Sequence, residues 1–174
     1  MRISFFGSLR FGATLGISLI GSANAFAEAR SLSFYHTHTG QYLSVVYRVD
    51  GVYQPDALRS VDAFLADFRN HEAHHIDPTL LDVLYDLKSK TGSRAPFQVI
   101  SAYRSPTTNQ WLRQTTAGVA EHSMHLEGRA IDVRLADVPL ARLREVALSL
   151  ERGGVGFYPQ SDFVHVDTGR VRRW

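Results

Sequence analysis

Two short segments in the second half of this 174-residue chain constrain its fold and its chemistry more than any other feature. Residues 123–132 contain His125 and end at Asp132, and residues 163–167 are centred on His165. Two imidazoles and one carboxylate form a ligand set that holds a catalytic Zn²⁺ and leaves a fourth position open for water. The two segments therefore predict a mononuclear metal site.

The local pattern indicates how these three side chains could converge. Gly128 permits a tight turn after His125, and residues 129–134 then alternate like a strand whose apolar side chains lie opposite Asp132. Valines flank His165 in the same alternating way, so its imidazole projects away from them. We therefore expect two neighbouring strands to present Asp132 and His165 side by side.

The pattern Ser-x-His-x-x-Gly-x-Ala-x-Asp, with a later Val-His-Val-Asp strand, resembles the D-Ala-D-Ala metallopeptidase family of bacterial cell-wall peptidases. The chain looks closest to the branch of small periplasmic murein endopeptidases in that family. The similarity runs from about Leu32 to Trp174 and includes residues 101–106, Asn109, residues 118–120 and residues 153–156. The resemblance implies a Zn²⁺ held by His125, Asp132 and His165, and hydrolysis of peptide cross-links in peptidoglycan.

The resemblance also implies a general base, which must lie within hydrogen-bond reach of the attacking water. Many relatives carry a Glu three residues before the second histidine, and this chain has the shorter Asp162 there. Asp167, two residues beyond His165 and on its face of a regular strand, is the alternative base.

Arg104 matches the family's arginine in the Ser-x-Tyr-Arg-Ser segment. A fixed guanidinium there can stabilise a developing oxyanion or bind a substrate carboxylate. Ser101 and Ser123 are expected to support the site through hydrogen bonds.

The length favours one domain, residues 28–174, preceded by a secretory signal at residues 1–27. Arg2 provides a basic start, residues 11–20 a short apolar stretch, and residues 23–27 small side chains for cleavage. We expect export to the periplasm and no stable membrane insertion after cleavage.

Charge and cysteine content exclude several functions. Removing residues 1–27 takes away two arginines and no acidic residue, which leaves 17 basic and 17 acidic side chains. A neutral mature chain lacks the basic face that nucleic-acid binding requires. Thiolate metal ligands are impossible because the chain contains no Cys. The arginines at 170, 172 and 173 favour a short solvated tail.

The hydrophobic periodicity predicts an α+β fold, with helices packed on a mostly antiparallel sheet that carries the zinc site. Helices are expected at residues 56–68, 78–91, 106–114 and 139–150, and strands at residues 31–36, 41–49, 97–102, 129–134, 155–158 and 163–167. Asp77 is the expected cap of the second helix.

A rival zinc motif, His-Glu-x-x-His, begins at His71 and ends at His75. That chemistry needs a continuous helix through the motif, but Pro78 follows closely and disfavours helix in the residue before it. We therefore predict a solvated loop there.

The leading hypothesis is a zinc endopeptidase whose partners are the peptide stems of peptidoglycan. A carboxypeptidase that trims those stems and a non-catalytic wall-binding module remain the alternatives.

Overall fold

A computed structural model describes Met1, residues 28–116 and residues 119–174. Within these residues the chain forms four α-helices and one eight-stranded sheet. The predicted signal segment, Met1 excepted, lies outside the described residues. No helix among the described residues is long and apolar enough to cross a membrane.

The elements follow the predicted order closely. The strands are β1 (Ala29–His36), β2 (Tyr42–Val49), β3 (Val52–Tyr53), β4 (Phe97–Ser101), β5 (Ala130–Leu135), β6 (Gly154–Tyr158), β7 (Phe163–Asp167) and β8 (Arg172–Arg173). The helices are α1 (Pro55–Phe64), α2 (Pro78–Thr91), α3 (Pro106–Thr115) and α4 (Leu140–Ser149), with a 3₁₀ turn at Met124–Glu127. The short strands β3 and β8 were not predicted.

The strand order is β3-β2-β1-β4-β5-β7-β6-β8, and only the β1–β4 and β6–β8 pairs are parallel. Helices α1, α2 and α4 pack on the sheet. The core between them is formed by alternating strand residues and helix leucines, among them Phe34, Phe97, Val133, Leu84 and Leu143. The predicted α+β class and the mostly antiparallel sheet are confirmed.

The first helix ends earlier than the sequence periodicity indicated, at Phe64 instead of residue 68. The chain leaves the helix so that Asp67 can turn inward, where its buried carboxylate accepts hydrogen bonds from the backbone of Ser105 (2.9 Å) and Arg69 (3.1 Å). This tertiary contact outweighs the local helical pattern.

The second helix starts and ends as expected. The Asp77 side chain accepts a hydrogen bond from the Thr79 amide at 2.9 Å, and Pro78 occupies the first helical position. Gly92 ends the helix in the left-handed conformation at φ 70°.

Candidate metal centre

Strand pairing brings two of the three candidate ligands together. Asp132 on β5 lies directly opposite His165 on β7 in an antiparallel register. Ser101 on β4 lies opposite Asp132 on its other side. The side-by-side arrangement predicted from strand alternation is confirmed. The apolar neighbours of both residues lie on the opposite face of the sheet and are buried in the core.

The third ligand comes from the turn before β5. His125 lies in the 3₁₀ turn, which Ser123 caps by accepting the His125 amide at 3.3 Å. Gly128 then reverses the chain at φ 64°, and a Cβ there would lie 2.2 Å from the carbonyl oxygen of His75. Only glycine fits this left-handed, tightly packed position, so the turn that places His125 depends on it.

Three ligand atoms of these residues converge to metal-binding distances. Oδ1 of Asp132 lies 2.9 Å from Nδ1 of His165 and 3.4 Å from Nε2 of His125, and the two nitrogens are 3.2 Å apart. Ligands about 2.0–2.1 Å from a tetrahedral Zn²⁺ are separated by about 3.3–3.4 Å, so the observed triangle has nearly the size that zinc requires. Among the described residues, no other group of three potential ligands is assembled in this way.

The hydrogen bonds behind the histidines leave the converging nitrogens free for a cation. Nδ1 of His125 lies 2.6 Å from the carbonyl oxygen of Ala102, which can only accept, so this nitrogen carries the proton. Nε2 of His165 likewise donates to Oδ2 of Asp167 at 3.0 Å. Each imidazole therefore turns a lone pair toward Asp132, and three acceptors meet where a positive charge is needed.

The pKa values of the buried groups also indicate that the site favours a positive charge. Burial by itself raises the pKa of Asp132, but the charges and hydrogen bonds of His125 and His165 outweigh it and hold that pKa well below its usual value. Burial lowers the pKa of His165, but the carboxylates of Asp132 and Asp167 outweigh it and raise that pKa, because a proton on Nδ1 would supply the positive charge that the three acceptors lack. The site thus favours an ionised carboxylate beside a cation.

Asp167 is held by more donors than any other carboxylate near the site. Its Oδ1 accepts from the backbone amides of Gly154 (2.9 Å) and Gly169 (2.8 Å), and Arg172 contacts both oxygens at 3.0 and 2.7 Å. Its side chain is fully buried. Burial alone raises the pKa of Asp167, but its partners, His165 and Arg172 foremost, lower it overall.

Arg172 corrects the sequence prediction for the C-terminal arginines. Instead of a solvated tail, residues 172–173 form β8 beside β6, and the guanidinium of Arg172 points inward to Asp167. Trp174, the residue after β8, has its ring centroid 5.2 Å from that of the His165 imidazole, and its indole nitrogen donates to the Tyr158 hydroxyl at 2.7 Å. Gly156 makes room for that ring, because a Cβ there would lie 2.8 Å from it.

A cavity of about 450 Å³ opens over the three ligands. Its walls come from the segments before and after α3, from the β6–β7 hairpin and from the C-terminal residues, and they include Arg104, His122, Tyr158, Phe163, Arg172 and Trp174. A ligand in this cavity would reach the metal position from the side that the protein leaves open.

Arg104 lines this cavity together with the ligands. Its Nη1 donates to Oδ1 of Asn109 at 3.3 Å, whereas its buried Nε has no hydrogen-bond partner among the described residues. Burial lowers the pKa of Arg104, and the nearby Asp132 opposes that shift. The arginine is therefore held beside the site, and N–H groups of its guanidinium remain available to a ligand.

Asp162 lies at the edge of this arrangement. It occupies the turn between β6 and β7 at φ 54°, is largely exposed, and pairs with Nη1 of Arg134 at 2.7 Å. Arg134 is two residues from Asp132 on β5 and therefore on the same face of the sheet. Asp162 does not line the cavity, although its neighbours Ser161 and Phe163 do.

The rival histidine motif forms no metal site. Residues 71–75 adopt an irregular loop, with His71 at φ 63°, as expected. His75 pairs with Asp62 at 3.1 Å, and the His74 ring stacks on Tyr103. The loop instead supports the turn that carries His125, since the His75 carbonyl packs against Gly128.

Two histidines and one aspartate that could hold a metal ion, buried on a sheet beneath an open cavity, are typical of a metallopeptidase site. The comparisons with known proteins agree. Residues 24–174 match the family model described as Peptidoglycan L,D-endopeptidase MepK, and the chain belongs to this family of peptidases.

Two curated relatives illustrate the similarity. The chain is 39% identical over 168 residues to the "Probable peptidoglycan L,D-endopeptidase MepK" of Haemophilus influenzae, covering 94% of this chain and 90% of that protein. The identity to the "Peptidoglycan L,D-endopeptidase MepK" of Escherichia coli K12 is also 39%, over 94% of this chain and 92% of that protein. No solved structure matches the chain significantly.

Proposed function

We propose that this protein is an exported zinc endopeptidase that hydrolyses peptide cross-links of peptidoglycan. The convergence of His125, Asp132 and His165 within 3.4 Å of one another carries the proposal. Family membership supplies the substrate class, and the relatives' names support a bond between an L-centre and a D-centre as the one cleaved.

The donor set favours Zn²⁺ over harder cations. Two neutral imidazole nitrogens and one carboxylate suit zinc, whereas Mg²⁺ and Ca²⁺ prefer a shell of oxygens. When bound, zinc polarises a carbonyl oxygen and lowers the pKa of a coordinated water toward neutrality.

Arg104 is the residue that we propose to bind the substrate's carbonyl oxygen or a neighbouring carboxylate. Its backbone amide donates to the His125 carbonyl at 3.1 Å, and its side chain lines the cavity. A fixed, desolvated guanidinium stabilises negative charge that develops there without reorganising. Asn109 limits its motion by accepting from Nη1.

Asp162 is the proposed general base. Asp167 is a poor proton acceptor, because five hydrogen bonds already engage its two buried oxygens. Asp162 is exposed, bears a single ion pair, and sits on the hairpin that also carries His165. Release of the Arg134 ion pair would free its carboxylate to take a proton from the attacking water.

The N-terminal sequence supports export to the periplasm, where peptidoglycan lies. Residues 1–27 have the basic start, short apolar stretch and small-residue end of a secretory signal. Mass measurement of the protein recovered from cells tests this: loss of the segment up to Ala25 or Ala27 supports the proposal, and a chain that still carries residues 1–27 contradicts it.

Digestion of purified cross-linked muropeptides by zinc-loaded protein, with products identified by mass, tests the activity. We expect cross-linked dimers to become monomers, and a chelator to stop the reaction. Release of a terminal amino acid alone would instead identify a carboxypeptidase. A folded, zinc-loaded protein that leaves both bonds intact would contradict the proposal and favour a wall-binding module.

Substitutions locate the metal. His125→Ala, Asp132→Ala and His165→Ala should each remove tight zinc binding and activity. His71→Ala and His75→Ala are the matched controls and should keep both. The opposite pattern of zinc loss, measured by elemental analysis, would move the site to the rival motif.

A further inference from the structure

The open face of the sheet, the face opposite α1, α2 and α4, continues well beyond the metal centre. Asp132, His165 and Ser101 form one row across three strands. The next row runs from β6 to β2 through Tyr158, Phe163, Arg134, Gln98, Tyr35 and Tyr42. Aromatic pairs lie at both of its ends, with ring centroids 4.6 Å apart in each pair; the rings of Tyr158 and Phe163 are stacked, and those of Tyr35 and Tyr42 are tilted.

A second cavity lies one row further from the metal, over strands β1 and β2. Its volume is about 340 Å³. Ser33 and Ser44 face each other across the strands, Ser31 and Val46 extend the floor, and Lys88 forms one side. The three serine hydroxyls give polar groups to this otherwise aliphatic groove, which lies next to Tyr35 and Tyr42.

Lys88 brings a positive charge to this groove. Although α2 packs on the other face of the sheet, Ser33 precedes the part of β1 that pairs with β4, and Nζ of Lys88 reaches this unpaired edge and donates to Oγ of Ser33 at 3.1 Å. Among the described residues, no carboxylate lies within 4.0 Å of its ammonium group. Asp137, which attracts it from further away, already accepts hydrogen bonds from Ser93, Arg94 and Ala95. The ammonium group therefore lacks a direct counter-ion.

The register gives the distance between this cation and the metal centre. Ser33 lies two strands from Asp132 and two rows further along, which corresponds to roughly 10 Å across and roughly 13 Å along the strands, or roughly 16 Å in all. An extended peptide advances about 3.3–3.6 Å per residue. Four or five residues of a peptide laid over the Arg134 and Gln98 row would span the two sites.

We propose that the groove around Lys88 is a binding subsite for a carboxylate carried by the substrate peptide four or five residues from the cleaved bond. This inference rests on the proposed function, because it treats the metal centre as the place of cleavage. Lys88 supplies the charge, Ser31, Ser33 and Ser44 supply hydroxyl donors, and the open row between the sites accommodates the connecting peptide. A carboxylate is the ligand that we infer, because its charge is complementary to that of Lys88 and because the groove is continuous with the metal centre.

The test compares two cross-linked muropeptides that differ only in that carboxyl group, one as the free acid and one as the carboxamide. The zinc-loaded parent should cleave the acid with a KM about tenfold lower, the effect of one charge-assisted hydrogen bond. The turnover number should change little, because the contact is far from the reacting atoms.

Lys88→Met should remove this preference, whereas the matched control Lys90→Met, on the exposed side of the same helix, should keep it. Ser44→Asp provides a second variant at an exposed floor position, and should reverse the preference by repulsion. Equal KM values for both peptides with the parent, or an unchanged preference in a folded Lys88→Met protein, would overturn the subsite.

Failure of the proposed function gives a different result. If the zinc-loaded parent cleaves neither peptide, the activity assignment fails, and calorimetric titration of the same two peptides still tests the groove. Tighter binding of the acid by the parent, lost in Lys88→Met and kept in Lys90→Met, would support the subsite. Equal binding of both peptides would overturn it.

Discussion

Removal of the Arg172 guanidinium should weaken zinc binding although Arg172 is not a ligand. Arg172 makes two hydrogen bonds to Asp167, at 3.0 and 2.7 Å, and Asp167 in turn fixes the tautomer and orientation of His165. In Arg172→Ala the buried carboxylate of Asp167 keeps its hydrogen bonds from two backbone amides and from His165. It loses the guanidinium, which is the positively charged side chain in contact with it. His165 then has fewer constraints on its position.

The expected size follows from this geometry. Each charge-assisted hydrogen bond contributes about 1.5–3 kcal/mol, and partners behind metal ligands typically change affinity about 10–100-fold. The arginine is about one-third exposed, at 31% of its side chain, which places the loss toward the lower end. We expect the zinc dissociation constant to rise about 10–30-fold in Arg172→Ala.

Arg172→Lys separates charge from geometry. Lysine keeps the positive charge but cannot contact both oxygens of Asp167 through a planar fork, so its zinc affinity should lie between those of the parent and the alanine variant. Arg173→Ala is the control, because Arg173 is exposed on the same short strand. Competition with a chromophoric chelator gives the dissociation constants, and the visible spectrum of the cobalt-substituted protein reports the ligand geometry. A folded Arg172→Ala protein that binds zinc within twofold of the parent would refute the reasoning.

Three further substitutions test the roles of single residues. Asp162→Asn should lower turnover about 10²–10⁴-fold with zinc retained, and turnover within a few-fold of the parent would contradict its role as base. Arg104→Lys should leave zinc content unchanged and lower kcat/KM on muropeptides about tenfold or more; near-parent kinetics would show that only its charge matters. Asp82→Asn, which weakens the hydrogen bonds from Tyr47, Tyr53 and Arg48, should cost about 2–3 kcal/mol in urea unfolding at pH 7, whereas a loss below about 0.5 kcal/mol would contradict the importance of this network. Burial raises the pKa of Asp82, but these partners lower it overall. The ionised carboxylate therefore stabilises the folded protein above the pKa that Asp82 has in the unfolded chain, and this stabilisation is lost as the pH falls through its pKa in the folded protein. The difference in unfolding free energy between parent and variant should narrow below about pH 4.

The parts of the site that local periodicity encodes could be predicted from the sequence. Alternation with period two places Asp132 and His165 opposite buried neighbours, and this pattern is complete within each strand. The same holds for the helix that begins after Asp77, because a cap and its proline are adjacent in sequence. The early end of α1 could not be predicted, because it depends on Asp67 meeting Ser105, 38 residues later in the chain.

The residues that orient the ligands were harder to predict for a related reason. Arg172 lies in a two-residue strand whose existence depends on pairing with β6, and neither its period nor its composition differs from that of a solvated tail. The partner of His125 is a backbone carbonyl, that of Ala102, and every residue carries such a group. Metal ligands can be recognised in a sequence because few types of side chain bind metals. The groups that set a histidine's tautomer can be any acceptor that the fold brings within 3 Å, so they emerge only from the assembled strands.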